Sequence, residues 1–178
     1  MIAHGLSPDL LEEVAQYRAA SVGDDAWPSE QLELLADYGV FADVIPQAYE
    51  GDPVDPTRLL ARYLALAEAC VETAFVLTQR NGACQRIAAS SNEDCKRDVL
   101  PALARGETFA TVGISHLTTS RQHMAEPAMV ARSDGDRWAL RGEAPWVTGA
   151  AQADWIVTGG ATPDGQQLLV LLSPQSNL

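Results

Sequence analysis

The sequence is poor in the features that mark a membrane protein, a metalloprotein or a disulfide-stapled secreted domain. No run approaches the roughly 18 consecutive apolar residues of a membrane-spanning helix. The N-terminus shows no basic region followed by an apolar block, so no secretory leader is expected. The three cysteines, Cys70, Cys84 and Cys95, are odd in number, widely spaced and without a Cys-x-x-Cys pair. That excludes a disulfide framework and reads as reduced thiols buried on helices, with the cytoplasm as default compartment. His4, His116 and His123 have no zinc-type spacing, so no metal site is expected. Basic residues are scarce: 12 Lys and Arg stand against 24 Asp and Glu, a formal charge of −12. Most of the excess lies in 1–110, which carries eight basic and eighteen acidic groups. Such a surface excludes nucleic acid and anionic membranes as partners, and an anionic small molecule would need a locally basic site. Repeats and low-complexity segments are absent as well.

Apolar residues make up 47% and charged residues 20%, the balance of a globular chain. A length of 178 residues suffices for one domain with a core, or for one domain and part of another. The first part reads as helices. Ser7-Pro8-Asp9 is a cap followed by proline at the first helical position, and Leu10, Leu11, Val14 and Tyr17 recur at helical spacing. Trp27-Pro28-Ser29 opens a second helix with Leu32, Leu35 and Tyr38 on its apolar face and Gly39 placed to end it. The apolar run from Tyr38 to Gly51 is either a buried strand or an irregular core crossing. Asp55-Pro56 starts a third helix through Leu59, Leu60, Tyr63, Leu64 and Ala67. A fourth runs from about Glu72 to Ala89, with Asn81-Gly82 a soft spot in its middle. A fifth starts at Asn92, and Pro101 should kink or shorten it.

Beyond Gly106 the text turns β-like. Phe109, Thr111 and Val112 favour a strand, 128–132 alternates weakly, and Asp134-Gly135 signals a hairpin turn. Strands are expected at 138–140, 154–158 and 167–172, with Gly159-Gly160 in a loop. Between them, Pro145-Trp-Val-Thr148 reads as a short extended segment. Side chains two apart then share a face, so Trp146 and Thr148 point one way and Val147 the other. A flat π surface beside a hydroxyl suits a heteroaromatic ligand with polar ring atoms, and equally a core indole beside a strand threonine.

The stretch Arg141-Gly-Glu-Ala-Pro-Trp-Val-Thr-Gly149, continuing through Ala150-Ala-Gln-Ala-Asp154, resembles the middle-domain signature of the acyl-CoA dehydrogenase family. In that family a Trp-(Ile/Val)-(Ser/Thr) segment lines the flavin. Tyr38-Gly-Val to Ala48-Tyr-Glu-Gly51 is similar to another family segment, with Glu50 where the first of two glycines is usual. Gly106-Glu107 sits where the family has Gly-Glu ahead of its (Thr/Ser)-Glu-Pro-Gly-x-Gly-Ser-Asp motif. Counting from there places Ser115 on the family's Thr/Ser and Ile114 on the preceding backbone contact. His116-Leu117 and Thr118-Thr-Ser-Arg121 depart from the rest of the motif, the half that faces acyl-CoA.

The resemblance implies an α+β chain: an N-terminal all-α helical bundle (1–108), then an incomplete antiparallel β-barrel or sandwich domain (109–178). It implies an oxidoreductase with FAD as cofactor, held by Ile114, Ser115, Trp146, Val147 and Thr148. It also implies an acyl-CoA-type thioester as substrate, with His116 and Arg121 as candidate contacts, and homo- or hetero-oligomeric assembly. On residue type alone His116 reads as an exposed loop histidine. The likeness covers about half of a complete enzyme. The C-terminal helical domain, with its α-proton-abstracting glutamate, is expected outside these residues, and no catalytic residue is assigned within them. An unpaired sheet edge is expected near 167–172. A flavin monooxygenase of the same architecture, which needs no such glutamate, and a non-catalytic assembly partner are the competing readings.

Overall fold

The structure, a computed structural model, describes residues 5–20, 27–118, 127–135 and 137–174. It divides into two compact units, Met1–Phe109 and Ala110–Leu178. The class is the one expected: a helical unit, then a β unit with an open sheet.

Cap chemistry sets the helix boundaries of the first unit. The Asp9 amide donates to the Ser7 hydroxyl at 3.2 Å, and Pro8 begins α1 (Pro8–Ala20). α2 (Ser29–Asp37) is closed by Gly39, whose φ of 73° turns the chain and whose amide reaches the Ala36 carbonyl at 2.9 Å. The Asp55 carboxylate accepts the Thr57 and Arg58 amides, each at 3.0 Å, ahead of α3 (Pro56–Ala69). α4 (Val71–Ala88) follows Cys70, and Asn92 caps α5 (Glu93–Ala104) by accepting the Cys95 amide at 3.0 Å. Leu10, Val14, Leu35, Leu66 and Leu77 are buried in one apolar core. Trp27 and Phe109 meet at its margin edge to face, 5.3 Å between centroids. Cys70 and Cys84 are buried and Cys95 is half-buried, all three as free thiols.

Three local expectations change. Asn81-Gly82 does not weaken α4: the buried Asn81 amide donates to the Tyr63 hydroxyl at 2.8 Å and its oxygen accepts from Arg80 at 3.0 Å. α5 continues through Pro101, where only three more residues remain to its end. On α3, Leu60 and Leu64 stand outward, 57% and 59% exposed, while Leu66 is fully buried. The inward stripe therefore follows the half-buried Leu59 and Tyr63 and the buried Leu66 and Cys70, not the leucines one position further on.

The crossing at 39–51 is irregular. It holds two single 3₁₀ turns, Val40–Ala42 and Gln47–Tyr49, and buries Ile45 completely.

In the second unit, β1 (Ala110–Val112) pairs in parallel with β4 (Trp155–Ala161). β2 (Met129–Asp134) and β3 (Arg137–Gly142) form one antiparallel hairpin, and β4 with β5 (Gln167–Leu172) forms another. The sheet is thus mixed, because β1 joins β4 through the long connection 113–154 and not through a tight turn. Among the described residues β1, β3 and β5 each have one strand neighbour and make its edges. Gly159 and Gly160 belong to β4, not to a loop. A Cβ on Gly159 would lie 2.0 Å from the Leu168 carbonyl oxygen, so glycine there permits a close ladder approach.

Candidate flavin-facing site

Two segments chosen from the sequence, 114–116 and 146–148, are brought together by a set of hydrogen bonds to main-chain carbonyls. Past the end of β1 the Gly113 amide donates to the Val157 carbonyl at 2.8 Å. The Gly113 carbonyl in turn accepts the buried Thr158 hydroxyl at 2.7 Å. The Thr111 hydroxyl, also buried, donates to the Thr148 carbonyl at 2.7 Å. A Cβ on Gly113 would sit 2.5 Å from Val147 Cγ2, so this glycine makes the seat for the valine. β4, β1 and the 146–148 segment are therefore tied together by one main-chain bond and two threonine hydroxyls, each ending on a main-chain carbonyl. Such contacts do not depend on any long side chain finding its rotamer.

After Gly113 the chain makes one helical turn, α6 (Ser115–Thr118), where strand and loop were expected. The turn carries a correction. His116 is no exposed loop histidine: it is 5% exposed, with Nε2 2.9 Å from the Gly159 carbonyl and Nδ1 buried without a partner. The next carbonyl, of Leu117, accepts the Gln167 side-chain amide at 2.9 Å. Ile114 and Ser115 are half-buried at the start of the turn.

The 145–148 stretch is not a paired strand. Thr148–Ala150 form a turn that Gly149 completes with a φ of 68°, and the Gln152 amide bonds the Gly149 carbonyl at 3.1 Å. Pro145 has no amide to give to a ladder. Within this clamped segment Val147 and Thr148 are half-buried, while Trp146 is 70% exposed. The indole of Trp146 thus stands on the surface next to an anchored valine.

Arg121 lies outside the described residues, as do His4 and His123. Among the described residues no cluster of His, Cys, Asp or Glu can hold a metal ion, and no helix is long and apolar enough to cross a membrane. A separate surface cleft of about 560 Å³ lies between the two hairpins, lined by Arg132, Trp138, Pro163, Asp164, Gln166 and Leu168 among others. None of the residues selected from the sequence lines it. The sequence reading missed Thr111, Gly113, Thr158, Gly159 and Gln167. The threonines look like ordinary strand formers, and only the Gly159-Gly160 pair carried a visible signal, one that pointed to a loop.

Residues 9–107 match the acyl-CoA dehydrogenase N-terminal domain profile. Over 157 residues the chain is 27% identical to the probable acyl-CoA dehydrogenase FadE25 of Mycobacterium tuberculosis, covering 87% of this chain and 40% of that protein. It is 28% identical over 132 residues to the glutaryl-CoA dehydrogenase of Desulfococcus multivorans, covering 72% of this chain and 33% of that one. A solved glutaryl-coenzyme A dehydrogenase in complex with glutaryl-CoA superposes with a TM-score of 0.76 at 22% identity, over 97% of this chain and 48% of the other. The chain thus spans less than half the length of these relatives. Because the N-terminal profile covers more than half of its residues, the chain belongs to the acyl-CoA dehydrogenase family.

Proposed function

We propose that this chain is the N-terminal helical domain (1–108) and the first part of the middle β domain (109–178) of an FAD-dependent acyl-CoA dehydrogenase-like oxidoreductase. The observation that carries this is Trp146: an exposed indole on a segment whose neighbours are clamped by Gly113 and Thr111. A side chain so presented offers its π face to a flat ligand, and the anchoring of Val147 limits the freedom it would lose on binding. Thr148, in the turn that follows, is a candidate hydroxyl contact, and Ile114 and Ser115 supply backbone and hydroxyl groups for the polar edge of the ring. These residues fit a flavin, which when bound supplies the hydride acceptor for α,β-dehydrogenation of an acyl thioester. The chain's own part is to bind and orient that ring and to exclude water from one side of it. An acyl thioester is the substrate class, Arg121 is a candidate contact for its anionic part, and oligomeric assembly completes the proposal.

The test is a titration of the 178-residue chain with FAD, followed by quenching of protein fluorescence. Trp146→Ala is expected to weaken binding about tenfold or more, the scale of one lost aromatic stack. Trp138→Ala, on the separate cleft, should leave the affinity unchanged. Equal affinity of the Trp146→Ala variant and the parent, or no binding by the parent, would overturn the proposal.

A further inference from the structure

We infer that His116 is a positioning residue of the cofactor wall: as its Nε2–H tautomer it pins the Ser115–Thr118 turn to the Gly159 carbonyl of β4, and so holds Ile114 and Ser115 beside the Trp146 segment. This rests on the flavin reading for its consequence, and on the following geometry for its substance. His116 is 5% exposed and its Nε2 lies 2.9 Å from a carbonyl oxygen. A carbonyl only accepts, so Nε2 carries the proton. Nδ1 is buried and without a partner among the described residues, so the orientation of the ring is set by the β4 contact.

Among the described residues a second bond ties the same turn down, the Gln167 amide on the Leu117 carbonyl at 2.9 Å. Both act on residues that follow Ser115. The start of the turn is fixed through Gly113, held by the Val157 carbonyl and the Thr158 hydroxyl. Ile114 and Ser115 lie between the two anchors, so their backbone is determined only while both hold. His116 meets β4 at the carbonyl of Gly159, a residue whose missing side chain leaves room for the Leu168 backbone of β5 on the neighbouring strand. A histidine that merely filled space would have no need of a carbonyl at hydrogen-bond distance in line with its nitrogen.

The experiment compares the 178-residue chain with His116→Phe, which keeps an aromatic ring and loses the donor, and His116→Gln, whose amide nitrogen reaches about as far as Nε2. His116→Phe is expected to weaken FAD binding about tenfold, the net worth of one buried hydrogen bond at its upper end. His116→Gln should return to within about threefold of the parent. Ring ¹⁵N spectra of the parent should show the Nε2–H form without FAD present, and exchange of the Leu117 amide should speed up in His116→Phe and recover in His116→Gln. If the parent binds FAD and His116→Phe binds it equally well, or His116→Gln fails to recover, the positioning role is refuted while the flavin reading stands. If the parent binds no FAD, the flavin reading falls and this role with it. An Nδ1–H ring in the parent refutes the positioning role whatever FAD does, and needs no variant to fold.

Discussion

Replacing Arg80 by alanine is expected to lower the stability of the helical unit by about 3–5 kcal/mol, read from urea or thermal unfolding. Arg80 is fully buried on α4, and its guanidinium is held by main-chain and amide oxygens. Its guanidinium donates to the Phe41 carbonyl at 3.0 Å, to the Asn81 oxygen at 3.0 Å and to the Leu103 carbonyl, and it lies 3.7 Å from the centre of the Phe41 ring. One side chain thereby joins α4 to the irregular crossing and to the end of α5. Burial works against the cation and pulls its pKa down; Asp43, a carboxylate that pulls the other way, is itself bonded to Arg62. Burial likewise pushes the Asp43 carboxyl above its ordinary value, with Arg62 and Arg58 pulling the other way. Exchanging a buried ion for an apolar residue is often neutral when its partner can be exchanged too. Here the main partner is a main-chain carbonyl, which no substitution removes. Arg80→Met, close in length, should therefore still cost about 1–3 kcal/mol, the penalty of an unpaired buried acceptor at Phe41. The Leu103 oxygen suffers less, since the Gly106 amide also reaches it at 3.2 Å. Arg80→Lys should not restore stability, because a point ammonium cannot address carbonyls on two elements at once. A methionine variant as stable as the parent would show that the guanidinium contributes nothing net.

What the sequence disclosed and what it hid divide along the range of the interactions involved. Ser7, Gly39, Asp55 and Asn92 were readable as helix boundaries because a cap is formed with amides or carbonyls a few residues away. The second-unit strands at 138–140 and 167–172 were readable for the same reason, as runs of β-formers bounded by turn residues. Arg80 gave no signal at all, since its meaning lies in carbonyls 39 and 23 residues distant. Gly159 and Gly160 read as loop, because the strands that need their missing side chains, β5 for Gly159 and β2 for Gly160, are brought alongside only by the fold. His116 misled in the same way: its ring is defined by a strand 43 residues further on. The candidate wall was found through resemblance at Trp146 and Thr148. The residues that hold it in place, Thr111 and Gly113, were invisible because their partners come from elsewhere in the chain. The segment that reads as extended at 145–148 stays unpaired and runs at Thr148 into a turn, which Gly149 completes.

Gly51→Ala is the second substitution expected to be severe, and the neighbouring Glu50→Gly is its control. A Cβ on Gly51 would stand 1.8 Å from the Ile45 carbonyl oxygen and 2.3 Å from its carbon. Both are backbone atoms, so no rotamer change can make room. The chain would have to open between Ile45 and Gly51, across the Gln47–Tyr49 turn that the Gly51 amide closes onto the Pro46 carbonyl at 3.2 Å. The two bonds just beyond, from the Asp52 amide to Ala42 and the Val54 amide to Asp43, each 3.0 Å, would be pulled with it. Ile45 is fully buried, and displacing it costs on the order of 2–5 kcal/mol, as truncating a core isoleucine does. Glu50 tells the opposite story one residue earlier. It stands at a φ of 64°, the left-handed region that glycine enters freely, and its carboxylate pairs with Arg105 on the surface. Glu50→Gly relieves the strained backbone and gives up an exposed ion pair and some unfolded-state restriction. These oppose one another, so its unfolding midpoint should stay close to that of the parent. Thermal unfolding of the two variants side by side decides the matter. A mild effect at Gly51, or a severe one at Glu50, would mean that the Glu50-Gly51 pair is held by something other than close backbone packing against Ile45.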